Sequence, residues 1–349
     1  MVTGGFVFAI PGDLATATGG YAYDRRIIAE LRALGWQPEV LALGEGFPRP
    51  NALTLAAAGA SLALVAKGKV IVVDGLAFGV MPEAARNLCE THPLLALVHH
   101  PLALETGLRP EDAARLRESE RAALACTRGV VVTSPTTART LAADYGVAPE
   151  RITVARPGTD RPALRRRNPS RASVALLAIG AVVPRKGYDL LVAALAELLD
   201  LPWTLTIAGD TGRDPVMTDR LKAAIARHRL TSRVTIAGAV TDQALAALYA
   251  SSDLFVLPSR HEGFGMAYAE AIAHGLPVIG TTAGAIHETV GSAGVLVPPD
   301  NVPALAAALR RLIEDREARE RLAAQARAAE LPTWRESAQL FAQAIERAI

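Results

Sequence analysis

The feature that most restricts this 349-residue chain is an alternation, repeated in both halves, of short apolar runs with longer amphipathic segments rich in Ala and Leu. A parallel strand pair needs a long connection that brings the chain back to the same end of the sheet. Apolar runs separated by helical patterns therefore read as parallel strands joined by crossover helices. In the first half the runs fall at residues 6–10, 39–43, 70–73, 94–98, 130–133 and 152–154. In the second they fall at 174–179, 204–208, 234–236, 254–257, 277–279 and 295–297. Two similar α/β sheets are expected, and the length agrees, because single cores stop growing near roughly 250–300 residues.

Residues 157–172 separate the halves. They carry Gly158, Pro162, Pro169 and the arginines Arg161, Arg165, Arg166, Arg167 and Arg171, a composition suited to an exposed connector. The expected organisation is an N-terminal domain over 1–160 and a C-terminal domain over 170–330. Residues 331–349 form a terminal helix that either domain could accept, including by crossing back to the first.

With 50% hydrophobic and 21% charged residues the chain is globular rather than disordered. A net charge of +2 gives no reason to expect a nucleic-acid partner. Cys89 and Cys126 show no spacing of a disulfide framework or metal site and are expected buried and reduced. The N-terminal residues carry no positive charge before their apolar run, so they read as a first strand rather than a secretory signal. No run reaches the roughly 20 apolar residues of a membrane span. A cytoplasmic protein is expected, with peripheral contact at the inner membrane face left open. The arginine cluster is one means of such contact, although a solvated linker is its plainer reading.

The segment from Asp253 onward is the most informative. A strand breaks at Pro258-Ser259 and leads into Arg260-His261-Glu262-Gly263-Phe264-Gly265, then a helical stretch from Met266 closed by Gly275. Ligands of open parallel sheets bind beyond the carboxyl ends of strands, where this loop sits. Gly263 and Gly265 allow close backbone approach. The first amides of the following helix, at Met266 and Ala267, point at the same place and make an anion site. Glu270 lies in that helix, eight residues after Glu262, which at helical rise is about two turns or roughly 12 Å along the axis. Taken alone, the two carboxylates read as a cap and a solvated helix residue.

Context comes from Gly180 to Leu191, again between strand and helix, with Arg185 and Lys186 at the turn. A guanidinium fork and an ammonium point charge stabilise the negative charge that grows on a diphosphate leaving group without calling on a metal. Gly209, at the end of another strand, lets a nucleotide approach the backbone. In the first half, the strand at 94–98 runs into His99-His100-Pro101. Counting back from the proline favours His99 as the inward imidazole, with His100 as the alternative. Gly19-Gly20 follows the first strand and opens the next helix.

These residues resemble family 4 of the retaining nucleotide-sugar glycosyltransferases, which have the GT-B fold: two Rossmann-like domains facing each other across a cleft. The match is carried by Glu262-Gly-Phe-Gly-Met-Ala-Tyr-Ala-Glu270, two glutamates separated by seven residues, followed by Ala283-Gly284-Ala285-Ile286. Arg185 and Lys186 match the family's diphosphate-binding pair. Ser134 and Pro157-Gly158-Thr159-Asp160 match its markers near the domain junction. The resemblance implies that Glu270 binds the donor ribose and Glu262 the transferred sugar. It implies that amides around Phe264 to Ala267 take the sugar and diphosphate, with Gly263 beside them, and that Gly20 and Gly180 approach the donor. Ala239 and Val240 would lie near the base, and His99 would meet the sugar.

It further implies retention by same-face attack. The expected donor carries a hexose-type sugar on UDP in preference to GDP, a default because the base is read largely through backbone groups that the sequence does not display, and no cofactor or metal is expected. Consistent with that, no Asp-x-Asp metal motif occurs. The acceptor, whether small molecule, glycan or lipid, is not indicated. His287-Glu288 departs from the family's usual Pro-Glu. The alternative from another class is a catalytically silent subunit that binds a nucleotide sugar, against which the intact Arg185, Lys186, Glu262 and Glu270 argue. A nicotinamide dehydrogenase is set aside because Gly12 has no partner glycine until Gly19.

Overall fold

The computed structural model describes residues 4–16, 18–162 and 173–349, so Arg165, Arg166, Arg167 and Arg171 lie outside the described residues. The described chain divides into two compact units, one holding the residues up to Gly158 together with Pro332–Ile349, the other the described residues of Thr159–Leu331.

The first unit contains β1 (Gly5–Ile10), β2 (Gln37–Ala42), β3 (Ile71–Asp74), β4 (Leu94–Val98), β5 (Gly129–Val132) and β6 (Ile152–Val154). They form one parallel sheet in the order β2-β1-β3-β4-β5-β6. Every residue of β3 and β4 is buried, as expected of strands covered by helices on both faces, whereas the edge strand β2 is largely exposed. The order reverses between β1 and β3, which places the switch point of this sheet beside Gly19, Gly20 and Asp74.

The second unit contains β7 (Val174–Ile179), β8 (Trp203–Ala208), β9 (Val234–Gly238), β10 (Leu254–Val256), β11 (Val278–Thr281) and β12 (Gly294–Val297). Their order, β12-β11-β10-β7-β8-β9, is that of the doubly wound dinucleotide-binding sheet, with its switch point between β7 and β10. Each unit has its own apolar core. One is built around Leu176, Leu191, Phe255, Ile279 and Leu309, the other around Ile71, Leu94, Val130 and Leu141.

The terminal helix Trp334–Ala348 belongs to the first unit. Thr333 and Glu336 close a capping box at its start, and its buried stripe of Trp334, Ala338, Phe341, Ala342 and Ile345 recurs at helical spacing. Phe341 stacks on Phe8 at 6.0 Å, Tyr23 packs on Trp334, and Arg128 donates to the Ala348 carbonyl at 2.7 Å.

Two expectations are corrected here. Pro157 and Gly158 are buried rather than exposed, because the chain entering the terminal helix lies on them; a Cβ on Gly158 would come within 2.1 Å of the Trp334 nitrogen. Cys89 and Cys126 are free, but only half-buried. They end the helices Pro82–Leu88 and Pro110–Ala125, whose packing brings the thiols together, and burial and the neighbouring Cys89 raise the Cys126 pKa.

Candidate functional site

In the second unit, three glycines line the carboxyl ends of neighbouring strands. Gly180 follows β7, Gly209 follows β8, and Gly238 ends β9. The Gly180 amide donates to the Ala208 carbonyl at 2.9 Å, and the Gly209 amide to that of Gly238 at 2.8 Å. Gly209 has φ +151°, and a Cβ there would lie 2.0 Å from the Gly180 oxygen, so no side chain fits. Ala239 and Val240 follow, exposed and half-buried.

The turn Pro184–Lys186 is stitched to the loop after β10. The Arg260 amide donates to the Arg185 carbonyl at 2.7 Å, and Gly187 has φ +69° and would place a Cβ 2.1 Å from the Pro258 oxygen. This close join brings Arg185 and Lys186 onto Glu262. Arg185 Nη1 donates to Glu262 Oε2 at 3.1 Å and to the His261 carbonyl at 2.9 Å, while Lys186 Nζ donates to Oε1 at 2.7 Å. The Ser259 hydroxyl donates to the same Oε1 at 2.7 Å. Burial alone would raise the Glu262 carboxyl, but the charges of Lys186 and Arg185 outweigh it and hold its pKa near about 2. Arg260 forks onto Asp189 and also reaches Asp300 at 2.7 Å, so its charge is engaged elsewhere.

Glu262 therefore does not cap the following helix. The helix Met266–Ala273 opens at Gly265, φ +92°, with no side-chain cap. Its first amides keep the anion-binding capacity of an open helix end. Phe264 is buried and its carbonyl accepts from the Thr289 hydroxyl at 2.6 Å, while Gly263, Met266 and Ala267 are half-buried. Glu270 is not a freely solvated helix carboxylate either: Tyr249 donates to its Oε2 at 2.8 Å, and burial raises its pKa. Tyr249 in turn stacks on His274 at 4.6 Å.

The loop before the helix Ile286–Val290 closes over Glu262. The Ala285 amide donates to the Glu262 carbonyl at 2.9 Å, and Gly284 lies so near that a Cβ would stand 2.3 Å from that oxygen. His287, where the family has proline, has Nδ1 at 3.2 Å from the Gly284 carbonyl.

The first unit gathers a second group. Thr18 caps the helix Gly19–Ala33, whose buried face carries Asp24 beside Tyr23, Ile27, Ile28 and Leu31. Asp74 ends β3, and its Oδ1 accepts from the Leu76 amide at 2.8 Å. His99 follows β4, and its carbonyl accepts from the Thr133 hydroxyl at 3.0 Å. The Nε2 atom of His99 stands 3.4 Å from Asp24 Oδ1 and 3.3 Å from Asp74 Oδ2, close charge contacts that fall short of well-formed hydrogen bonds. Burial works to lower the His99 pKa, and the two carboxylates reverse that and raise it to about 10. Gly20 lies against the ring, at 3.5 Å from a Cβ position to Nε2, and the edge of Tyr23 packs on it at 5.3 Å. His100 points elsewhere, with Nε2 at 3.5 Å from Glu105. His99 is thus the imidazole beside Gly20. Ser134 caps the helix Pro135–Tyr145.

Several contributors were not singled out from the sequence. Ser259 stands three residues before Glu262, a spacing usually associated with a cap. Asp74, at the carboxyl end of a central strand, occupies a position where ligand-facing residues occur. Asp24 interrupts an apolar helical stripe, which is the visible signal of a buried charge. Tyr249 has no local signal, because its partner Glu270 lies across the fold.

Residues 22–161 match the family profile described as Glycosyltransferase Family 4, and residues 173–315 that described as Glycosyl transferases group 1. The chain belongs to glycosyltransferase family 4. Among its curated relatives, this family 4 chain is 29% identical to MMP α-(1→4)-mannosyltransferase of Mycolicibacterium hassiacum, covering 87% of this chain and 76% of that protein. It is 32% identical to D-inositol 3-phosphate glycosyltransferase of Kineococcus radiotolerans, over 71% of this chain and 63% of that one. The chain thus spans between about three fifths and three quarters of the length of these two relatives.

Sucrose-phosphate synthase from Thermosynechococcus elongatus has the same fold, with TM-score 0.83 at 21% identity and 98% of both chains covered. So does Anabaena HepE, solved with UDP and glucose, with TM-score 0.74 at 20% identity over 97% of this chain and 99% of that one. The fold is GT-B, and the nicotinamide dehydrogenase reading has no further place.

Proposed function

We propose that this protein transfers a hexose-type sugar from a nucleoside diphosphate to an acceptor hydroxyl, with retention of anomeric configuration and without a metal. The observation that carries the reading is the convergence of Arg185 and Lys186 on Glu262 at the switch point of the second sheet, beside the open end of the helix Met266–Ala273. Two cations on a buried anion form a polar centre already organised before any ligand arrives, which is what electrostatic stabilisation of a departing diphosphate requires. In this reading the diphosphate lies against Arg185, Lys186 and the amides from Gly263 to Ala267. Glu262 accepts from hydroxyls of the sugar, and Glu270, held by Tyr249, accepts from those of the ribose.

Gly180 and Gly209 leave room for the nucleotide, and Ala239 and Val240 border its base. His99 contacts the transferred sugar, with Gly20 beside it. The leaving phosphate takes the acceptor proton as the new bond forms on the same face, so no protein nucleophile is needed. UDP is favoured over GDP, supported by the UDP and UDP-glucose complexes of HepE. The relatives named for mannosyl transfer and for inositol phosphate support a hexose-type donor and a hydroxyl acceptor. No helix among the described residues is long and apolar enough to cross a membrane.

The test is a calorimetric and thermal-shift panel of UDP, GDP, ADP and their common sugars in metal-free buffer, on wild type, Glu270→Ala and Arg185→Ala. Stabilisation of wild type by one nucleotide family, reduced at least tenfold in affinity in both variants, is expected; loss of one charge-assisted hydrogen bond amounts to about 1.5–3 kcal/mol. Unchanged binding in both variants would remove the donor site from these residues.

A further inference from the structure

Asp24 and Asp74 have no part in the chemistry above, yet the fold buries both against a single atom. Asp24 has no exposed surface and Asp74 only 3%. Both Asp24 oxygens lack a hydrogen-bond partner, a costly arrangement for a carboxylate unless a positive charge stands beside it. That neighbour is His99 Nε2, itself buried, while the His99 side chain as a whole keeps 22% of its surface exposed. The exposed surface of the side chain therefore lies away from Nε2.

We infer that Asp24 and Asp74 are positioning residues for His99: together they anchor Nε2 behind Gly20 and leave Nδ1 as the ring nitrogen that donates to a ligand oxygen. An imidazole can donate from Nδ1 while Nε2–H points at a carboxylate only in its doubly protonated form. Two carboxylates on one nitrogen supply the charge that holds this form. The titratable groups facing the ring are Asp24 and Tyr23 from the helix Gly19–Ala33 and Asp74 from β3; the Thr133 hydroxyl holds its carbonyl. Burial and the nearby Asp74 raise Asp24 and the cationic ring opposes them, giving Asp24 a pKa of about 6. The cluster thus keeps its full ion-paired form above that value, until the ring loses its proton near about 10. A fixed cation there acts as a hydrogen-bond donor to a sugar hydroxyl and not as a base. Its position at the switch point of the first sheet is where such a ligand group arrives.

The inference rests on the proposed transfer reaction only for its activity arm. The first arm is a titration of His99 by nitrogen-edited NMR on histidine-labelled, EDTA-treated protein, with the signal assigned by its loss in His99→Gln. A ring still doubly protonated at pH 8.5 is expected in wild type, with its midpoint lowered by about one unit or more in Asp24→Asn and Asp74→Asn. The asparagine at 74 keeps the cap on Leu76, and either variant suffices if the other does not fold. A wild-type midpoint near the ordinary value of about 6.5 overturns the inference. So does a midpoint unchanged in the folded variants, or stabilisation by added Zn²⁺ or Mg²⁺ that the variants abolish, since the three side chains also form a possible cation-binding set.

In the activity arm kcat falls roughly 10- to 100-fold, the scale found for carboxylates that orient an imidazole elsewhere. UDP affinity stays within about twofold of wild type, since a positioning role should leave a second-unit donor site intact. Unchanged kcat in the folded variants of an active enzyme overturns the positioning role. If no transfer is detected in wild type, the proposed reaction fails while the titration still decides the state of His99.

Discussion

Glu120 and Glu262 are both buried carboxyls, and the fold drives them in opposite directions. Glu120, on the helix Pro110–Ala125, accepts from the Leu102 amide at 3.0 Å; burial outweighs that bond and raises its pKa to about 8. Its neutral form is the one the fold favours. The associated stability is complete below the ordinary carboxyl value of 4.5 and is lost as pH rises through about 8. Glu120→Gln should therefore gain about 1–2 kcal/mol in urea unfolding at pH 8.5 and almost nothing at pH 4.5; equal effects at both pH values would contradict a neutral Glu120. Glu262 has the opposite sign. With its pKa depressed to about 2, its stabilisation is present above 4.5 and disappears as pH falls toward 2. Glu262→Gln leaves Arg185 and Lys186 facing each other without their anion. It should lose about 3–5 kcal/mol at pH 7 and converge on wild type as pH approaches 2.

At the scale of elements, the two sites depend on how closely backbones meet at strand ends. Gly209 cannot carry a side chain because β7 and β8 end against each other, so Gly209→Ala should cost about 2 kcal/mol or more. Because the displaced atom is the Gly180 carbonyl, nucleotide affinity should fall with it; an Ala variant with wild-type stability would show that the strand ends can move apart. The terminal helix offers the complementary case. Its contact with β1 rests on Phe341 over Phe8, both fully buried, and Phe341→Ala should cost about 3–5 kcal/mol.

Over the whole molecule, the two separate cores make unfolding a sum of two events rather than one. Calorimetry should resolve two transitions. Phe341→Ala should lower only that of the first unit, and a bound nucleoside diphosphate should raise only that of Thr159–Leu331, by about 2.7 kcal/mol at a hundredfold excess over Kd. A single transition displaced by both would mean that the units unfold together.

The strands of the described residues were legible in the sequence because a strand buried on both faces writes a continuous apolar run, as β3 and β4 do, and even the largely exposed edge strand β2 keeps an apolar end at Val40 to Ala42. The turns holding Arg185, Lys186 and Glu262, the last of which leads into the helix of Glu270, were legible for a related reason: each is a local strand-to-helix connection marked by its own glycines. The partners of these groups were not. Ser259 and Tyr249 are ordinary residues until the fold sets them 2.7 and 2.8 Å from a carboxylate. Asp24, Asp74 and His99 lie on three separate elements, and only the order β1-β3-β4 makes them neighbours. The stripe of the terminal helix announced a buried face but not its destination, since periodicity records which side of an element is apolar and nothing about what covers it. The sequence by itself determined the elements, their faces and the chemistry available at each turn. Sheet order and packing decided which charges meet, because the energy of a buried charge depends on neighbours a few ångströms away in space that are many residues away along the chain.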